Sequence, residues 1–251
     1  MSGHSKWAGI KHKKGALDAK RGKLFTKIIR ELVIAAREKG GNPENNPRLR
    51  KAIETAREAN MPADNIKKAI QRGTGELPGA TYEEVVYEGY GPAKVAVIVE
   101  ATTDNKNRTT SEMRKIFEHR GGSLGNAGCA SYMFSTKGYI TIAKTAASED
   151  EVMSAALDAG ADDVKTDDDS VFEVLTSQQN FETVKAALGA RFKLETAEVT
   201  MVPENYIKLT GKDAEQMLGL MDELEEHDDV KNVHANFDIS AEEMERISAA
   251  Q

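Results

Sequence analysis

Three stretches near the start of the chain place apolar residues at helical spacing, with polar residues on the opposite side. The spacing predicts helices over about 23–39, 46–59 and 62–73. Asn46 followed by a proline is typical of a capped first turn. Because short amphipathic helices need one another to bury their apolar faces, residues 23–75 are expected to form a helical bundle.

The corner at residues 60–62 also fits the turn of a helix-turn-helix motif. In that interpretation the third helix faces a groove of nucleic acid with the side chains of Asn65, Lys67, Lys68, Gln71 and Arg72. A plain bundle with a basic exposed face explains the same residues, so both interpretations stay open.

From about residue 81 the apolar pattern changes from helical to strand-like. It predicts strands over 85–90, 93–103, 129–134 and 139–143, with a helix that residues 104–110 cap. From Tyr139 onward the order strand, helix, strand, strand, helix, strand is that of a ferredoxin-like unit, over 139–143, 149–159, 161–166, 170–176, 178–188 and 192–202. A strand near Ile207, a helix over 213–225 and a strand over 230–236 complete the prediction.

Charge is distributed very unevenly along the chain. Residues 1–75 contain 18 Lys or Arg and 7 Asp or Glu, whereas residues 76–251 contain 16 and 34. The formal net charge of -7 is therefore the sum of a basic front and a strongly acidic remainder. A polyanion is the natural partner of the front, and a protein partner is an option for the acidic half.

The first thirty residues hold nine Lys or Arg and one acidic residue. Four glycines interrupt them, which disfavours a continuous helix and lets the segment follow an irregular surface. Trp7, the only tryptophan, offers a face that stacks on an unpaired base while lysines neutralise phosphates. The alternative is a solvated basic tail without a partner.

Composition limits the class of protein. A chain of 251 residues with 39% hydrophobic and 30% charged residues is typical of a globular protein with two or three domains. Its one cysteine, Cys129, excludes an intramolecular disulfide. No apolar run reaches the roughly 18 residues of a membrane span. We therefore expect a cytoplasmic protein with no membrane partner.

Patterns that carry chemistry are missing from the sequence. The five histidines show no metal-ligand pairing, and no Gly-x-Ser-x-Gly motif occurs. We therefore predict no catalytic residue, no metal site, no cofactor and no small-molecule substrate. The polar cluster at residues 104–110 either caps the helix that follows it or forms a polar contact surface through Asn105, Lys106, Asn107 and Arg108.

Eight short blocks, read together, carry a family resemblance: residues 3–7, 20–23, 25–27, 46–50, 60–62, 87–92, 103–109 and 121–125. In these blocks the chain resembles the YebC/PmpR family over essentially its whole length. It differs where the family pattern continues Gly-Gly after Tyr-Gly-Pro, because this chain has Ala93 and Lys94 there.

The resemblance implies a multi-domain α and α+β protein. The expected parts are a flexible basic arm (1–22), a helical bundle (23–75), a discontinuous α+β domain (81–135 plus 203–240) and an inserted ferredoxin-like α+β domain (136–202). The resemblance also implies a non-enzymatic regulator of gene expression, since the family is labelled as probable transcriptional regulators that bind DNA. Its similarity to a mitochondrial translational activator of cytochrome c oxidase subunit I leaves open a role in relief of stalling at the ribosome.

The candidate nucleic-acid-binding residues are the cations and aromatic of the arm, with the basic residues of the bundle. They are Lys6, Trp7, Lys11, His12, Lys13, Lys14, Lys20, Arg21, Lys23, Lys27, Arg30, Arg48, Arg50, Lys67, Lys68 and Arg72. An arm with glycines and an aromatic favours RNA or the ribosome, whereas a helix-turn-helix favours DNA. An RNA-processing enzyme and a protein-protein adaptor are the weaker alternatives.

Overall fold

A computed structural model describes residues 17–168 and 170–249, which form a mixed α/β protein. The helices are α1 (Leu17–Lys39), α2 (Pro47–Glu58), α3 (Ala63–Thr74), α4 (Lys106–His119), α5 (Glu149–Asp158), α6 (Phe181–Gly189), α7 (Gly211–Glu226) and α8 (Ala241–Ala249). The strands are β1 (Glu83–Tyr90), β2 (Ala96–Thr103), β3 (Ser123–Leu124), β4 (Phe134–Ala143), β5 (Asp163–Lys165), β6 (Val171–Thr176), β7 (Leu194–Pro203), β8 (Ile207–Lys208), β9 (Val230–Ala235) and β10 (Phe237–Asp238).

The described chain divides into two compact units. The first, which we call the bundle unit, holds residues up to 129 together with 210–233. The second, which we call the acidic unit, holds 130–209 together with the residues from 234 onward. In the described part, no helix combines the length and the apolar composition of a bilayer span. The domain boundaries expected from the sequence stay predictions.

Helices α1, α2 and α3 share one apolar core in the bundle unit, as the helical periodicity predicts. Leu32 of α1, Leu49 of α2 and Ala69 of α3 all lie in it, each at most 1% exposed. Helix α1 includes Leu17, six residues before the predicted start near Lys23. The apolar spacing did not extend the helix to these residues because residues 17–22 include three charged residues and a glycine.

Asn46 joins the end of α1 to the start of α2. Its Oδ1 accepts a hydrogen bond from the backbone N–H of Leu49 at 3.0 Å, and its Nδ2 donates to the carbonyls of Ala35 (2.7 Å) and Gly40 (2.9 Å). The side chain is fully buried, so its bonds to Leu49 and Ala35 are made away from water. The predicted N-cap is confirmed, and it also terminates α1.

The α+β part of the bundle unit is built on a four-stranded sheet of order β3-β1-β2-β9. Strands β1 and β2 form an antiparallel hairpin in which Tyr90 pairs with Ala96. The hairpin turns through a short 3₁₀ segment, where Ala93 and Lys94 have φ of 52° and 61°. Since this left-handed region favours glycine, the turn explains why glycines suit these two positions in the family pattern.

The acidic unit contains a four-stranded antiparallel sheet of order β5-β6-β4-β7. Helices α5 and α6 supply Val152 and Leu188 to a core that includes Ile140 and Val174 from the sheet. The order strand, helix, strand, strand, helix, strand is the one predicted from the sequence. A short parallel pair, β8 with β10, forms a separate two-stranded sheet.

Four parts of the secondary structure differ from the prediction. The strand predicted at 129–134 is wrong, because Ser131–Met133 form a 3₁₀ turn and only Phe134 begins a strand. Gly128, with φ of 86°, precedes that turn and departs from extended backbone. The sequence analysis also missed β3 and β10, which are two residues long, and α8.

Candidate nucleic-acid interface

Part of the predicted interface lies outside the described residues: Lys6, Trp7, Lys11, His12, Lys13 and Lys14. Lys20 and Arg21 lie in α1, but the description covers only their backbone. The remaining candidates divide into two groups, cations engaged in contacts within the protein and cations exposed on α2 and α3.

Two lysines of α1 contact the carboxyl-terminal end of α7. Lys27 Nζ donates to the carbonyl of Glu225 at 2.7 Å, and Lys23 Nζ donates to the carbonyl of Glu226 at 3.1 Å. The last carbonyls of a helix lack partners within that helix and carry partial negative charge, so lysines there stabilise it. Lys23 and Lys27 therefore attach α1 to α7.

Arg30, one turn further along α1, binds the buried carboxylate of Asp229. Arg30 Nη1 lies 2.7 Å from Asp229 Oδ1, while Arg108 Nη2 and Thr109 Oγ1 donate to Oδ2 at 2.7 and 2.6 Å. Burial would raise the pKa of Asp229, but the hydrogen bonds from Thr109 and Arg108 and the charge of Arg30 lower it to about 2. Arg30 and Arg108 thus neutralise a side chain that is only 3% exposed.

Arg48 joins α2 to α1 and to β1. Its guanidinium binds both carboxylate oxygens of Glu31, at 2.7 and 3.1 Å, and it reaches Glu38 at 2.9 Å and Glu84 at 2.6 Å. Burial would raise the pKa of Glu31, but hydrogen bonds from Arg48 and Lys231 lower it. Arg48 is therefore surrounded by carboxylates of its own unit.

The second group consists of exposed cations. On α2 they are Arg50, Lys51 and Arg57, and on α3 they are Lys67, Lys68 and Arg72. Among the described residues, none of the six forms an ion pair with a carboxylate; Arg50 donates to the carbonyls of Pro43 and Glu44, both at 3.3 Å. Lys51 and Arg57 were missed by the sequence analysis, although the helical period already placed them away from the apolar stripe.

The polar cluster at residues 104–110 caps the amino-terminal end of α4. Asn105 Oδ1 accepts a hydrogen bond from the backbone N–H of Arg108 at 3.1 Å, and the Arg108 side chain pairs with Asp104 at 3.0 Å as well as with Asp229. Lys106 and Asn107 are exposed. The capping interpretation therefore accounts for Asn105 and Arg108 and leaves the other two available for contact.

Glu112, His227 and Asp229 bring potential metal-ligand atoms within 4.8 Å of one another. Sequence spacing gave no signal for this cluster, because its members come from α4 and from the segment after α7. His227 Nε2 lies 3.0 Å from Glu112 Oε2, and His227 Nδ1 accepts from the backbone N–H of Asp229 at 3.1 Å. Both ring nitrogens of His227 have a partner, and two guanidiniums pair with Asp229. The cluster is therefore better suited to a network of ion pairs and hydrogen bonds than to binding a metal cation.

Cys129, the one candidate thiol, lies in an unfavourable setting for nucleophilic chemistry. Burial and the charge of Glu88 raise the pKa of its thiol. A reactive cysteine needs a lowered pKa, because the thiolate is the nucleophile. Its backbone carbonyl instead accepts a hydrogen bond from the hydroxyl of Tyr90, which gives the residue a structural role.

The acidic unit contrasts with the bundle. Residues 130–209 and 234–251 contain 8 Lys or Arg and 18 Asp or Glu. Within this unit, carboxylates of Asp163, Glu173 and Asp238 line a cavity of about 750 Å³. Burial, with the charges of Glu173 and Asp238, raises the pKa of Tyr206 in the same cavity to about 12. Phosphates would be repelled from such a surface.

The fold and the distribution of charge define a mixed α/β protein with a basic helical bundle and an acidic second unit. A family model described as the TACO1/YebC protein N-terminal domain matches residues 5–76, and one described as the TACO1/YebC second and third domain matches residues 82–237. The chain belongs to the TACO1/YebC family, which confirms the resemblance seen in the sequence.

Relatives and one solved structure agree with this assignment. The chain is 62% identical to a "Probable transcriptional regulatory protein" of Endomicrobium trichonymphae, over 99% of this chain and 100% of that one. It is 57% identical to a protein of the same name from Dictyoglomus turgidum, with the same coverage. The crystal structure of a conserved hypothetical protein from Aquifex aeolicus matches with a TM-score of 0.77 and 48% identity, over 92% of this chain and 96% of that one.

Proposed function

We propose that this protein is a non-enzymatic regulator of gene expression that binds nucleic acid through its basic arm and the exposed cations of its bundle. The names of its relatives, which describe transcriptional regulation rather than catalysis, support the regulatory role. The charge distribution supports a polyanionic partner for the arm and the bundle, and repulsion turns the acidic unit away from phosphates.

One observation carries the proposal: α2 and α3 expose six cations that pair with no carboxylate among the described residues. Elsewhere in the same unit, carboxylates surround Arg48, and Arg30 neutralises Asp229. Carboxylates therefore pair with the cations that hold the fold together, whereas the six cations exposed on the two helices form no ion pair among the described residues. Cations left without counterions are the ones that phosphates neutralise at low cost.

Removal of residues 2–16 tests whether the arm binds nucleic acid, because the truncated protein keeps every helix and strand from Leu17 onward. If the arm and the bundle together neutralise about 6 phosphates, the log-log slope of affinity against salt is about -5 for duplex DNA and about -4 for single strands. The truncated protein should show a flatter slope and unchanged thermal unfolding. A slope that does not change on truncation would refute the role of the arm.

A role in translation is the second candidate, and one feature of the sequence favours it. Trp7 lies among lysines in an arm that glycines interrupt, a composition suited to unpaired RNA bases and to ribosomal crevices. Crosslinking in cells, with DNA and RNA sequenced separately, distinguishes the two candidates. Enrichment of ribosomal or messenger RNA supports this one, and enrichment of promoter DNA supports the first.

The acidic unit is proposed to contact protein, in a cytoplasmic setting and without a cofactor. Its excess of carboxylates supports a basic protein partner through charge complementarity. An adaptor that works only through this unit keeps its function when Lys13→Glu and Lys14→Glu are combined. Loss of regulation in that double variant supports nucleic-acid binding over the adaptor.

A further inference from the structure

We infer that one face of α3 is a docking surface for double-stranded DNA. This inference rests on the proposed function and adds which helix makes the contact and which form of nucleic acid it accepts. The surface, which we call the α3 face, consists of Lys67, Lys68, Gln71 and Arg72.

The α3 face is positioned rigidly by the opposite side of the same helix. Ile66 and Ala69 are buried in the bundle core, and Gly73 lies so close to α1 that an added Cβ would stand 2.5 Å from the carbonyl oxygen of Val33. With 3.6 residues per turn, Lys68 and Arg72 lie one above the other on the exposed side, about 6 Å apart between Cβ atoms. The face is a short, fixed row of positive charge.

A tight turn joins α2 to α3. Asn60 has φ of 57°, the left-handed conformation that lets the chain reverse within the few residues between the helices, and Met61 is buried beneath the turn. The backbone N–H of Met61 donates to the carbonyl of Ala56 at 2.9 Å, which fixes the turn to α2. Two helices joined by a short fixed turn are the arrangement by which proteins present one helix to a groove.

The chemistry of the face selects paired rather than unpaired nucleic acid. Residues 47–74 contain no Phe, Tyr or Trp. Proteins that hold unpaired bases stack them on aromatic side chains, so α2 and α3 lack the groups for that contact. Cations with a neighbouring amide instead suit phosphates and groove edges of a double helix. The major groove of DNA admits a helix, whereas the major groove of an RNA helix is too deep and narrow, so duplex DNA is the expected partner.

The experiment compares a triple variant of the α3 face with a triple control variant in α4 and α7, called the α4 variant, in the full-length protein. Arg114 and Lys115 of α4 and Lys212 of α7 are also exposed, and none pairs with a carboxylate among the described residues, so their removal changes the net charge equally. The probes are a 20-base-pair DNA duplex, an RNA hairpin stem and the matching single strands, each titrated over a range of salt. The variants are Lys67→Ala with Lys68→Ala and Arg72→Ala, and Arg114→Ala with Lys115→Ala and Lys212→Ala.

For the α3 variant we expect the salt slope on a duplex to fall in magnitude by about 3, roughly one for each lost phosphate contact. Affinity for single strands should change much less, and the α4 variant should resemble the unmodified protein. Replacement by Lys67→Arg, Lys68→Arg and Arg72→Lys should restore the slope, since charge is kept. A loss on the DNA duplex that exceeds the loss on the RNA stem supports the inference.

Two results overturn the inference. One is equal loss in the α3 and α4 variants, and the other is a loss confined to single strands or to the RNA stem. If the unmodified protein binds no probe in a salt-dependent manner, both the inference and the proposed function fall. If it binds and the α3 variant binds equally well, only the inference falls.

Discussion

Arg30 and Asp229 form a buried ion pair at 2.7 Å that joins helix α1 to the segment between α7 and β9. Their side chains are 13% and 3% exposed. Arg108 and Thr109 donate to the other carboxylate oxygen, so Asp229 accepts hydrogen bonds from three side chains. The pair is therefore one of the contacts that attach α1 to the rest of its unit.

We expect Asp229→Asn to destabilise the protein by about 3 kcal/mol, because it leaves two guanidiniums without their buried counterion. Denaturant unfolding measures this loss. Asp104→Asn is the control, since Asp104 pairs with the same Arg108 but is 41% exposed, and it should cost less than about 1 kcal/mol. Equal costs for the two substitutions would contradict the structural role of Asp229.

The lowered pKa of Asp229 makes the stability of the protein depend on pH. Its pKa is lowered from 3.8 to about 2 in the folded protein, so the stabilisation is complete above pH 4 and is lost as the pH falls through about 2. Thermal unfolding between pH 6 and pH 2 should show the unmodified protein losing its advantage over Asp229→Asn across that window. An advantage that stays constant down to pH 2 would be inconsistent with the lowered pKa.

Gly73 is expected to be required where α3 crosses α1. A methyl group there would stand 2.5 Å from the carbonyl oxygen of Val33 and 2.7 Å from Cβ of Ala36. Gly73→Ala should therefore cost about 1 to 3 kcal/mol in chemical denaturation, despite the better helix propensity of alanine. Gly22→Ala is the matched control in α1, since a Cβ there meets nothing within 4 Å, and it should be neutral or stabilising.

The left-handed turn at Ala93 and Lys94 predicts a gain from glycine and a loss from a branched residue. Ala93→Gly removes a conformational cost of about 1 kcal/mol, partly offset by the greater freedom of glycine in the unfolded chain. Ala93→Val should instead destabilise by more than about 1 kcal/mol, because β-branched side chains are poorly accommodated at positive φ. Melting temperatures of the two variants provide the comparison, and the same melting temperature for both would contradict the turn geometry.

Local signals in the sequence predicted the elements whose causes are local. The helical period of the bundle, the cap at Asn46 and the order of strands from Tyr139 all depend on neighbours within a few residues. The pattern failed at 129–134, where a glycine-rich approach leads into a 3₁₀ turn rather than a strand. It also gave no indication of β10, which is two residues long and pairs with the equally short β8.

The candidate site shows the same limit. The sequence does not distinguish the lysines and arginines of the first 75 residues that contact carboxylates or carbonyls from those that do not. In the structure Lys27 contacts Glu225 and Arg48 contacts Glu84, and both partners lie far along the chain. Only the folded arrangement separates these cations from the exposed ones on α3. A count of charges therefore locates the basic region but not the residues that remain available to phosphates.

The salt dependence of nucleic-acid binding by the intact protein is the decisive measurement, because counterion release reports how many phosphates the protein neutralises. We expect log affinity to fall linearly with log salt, with a slope of about -4 to -5. A slope near zero on duplexes, single strands and ribosomes alike would contradict it.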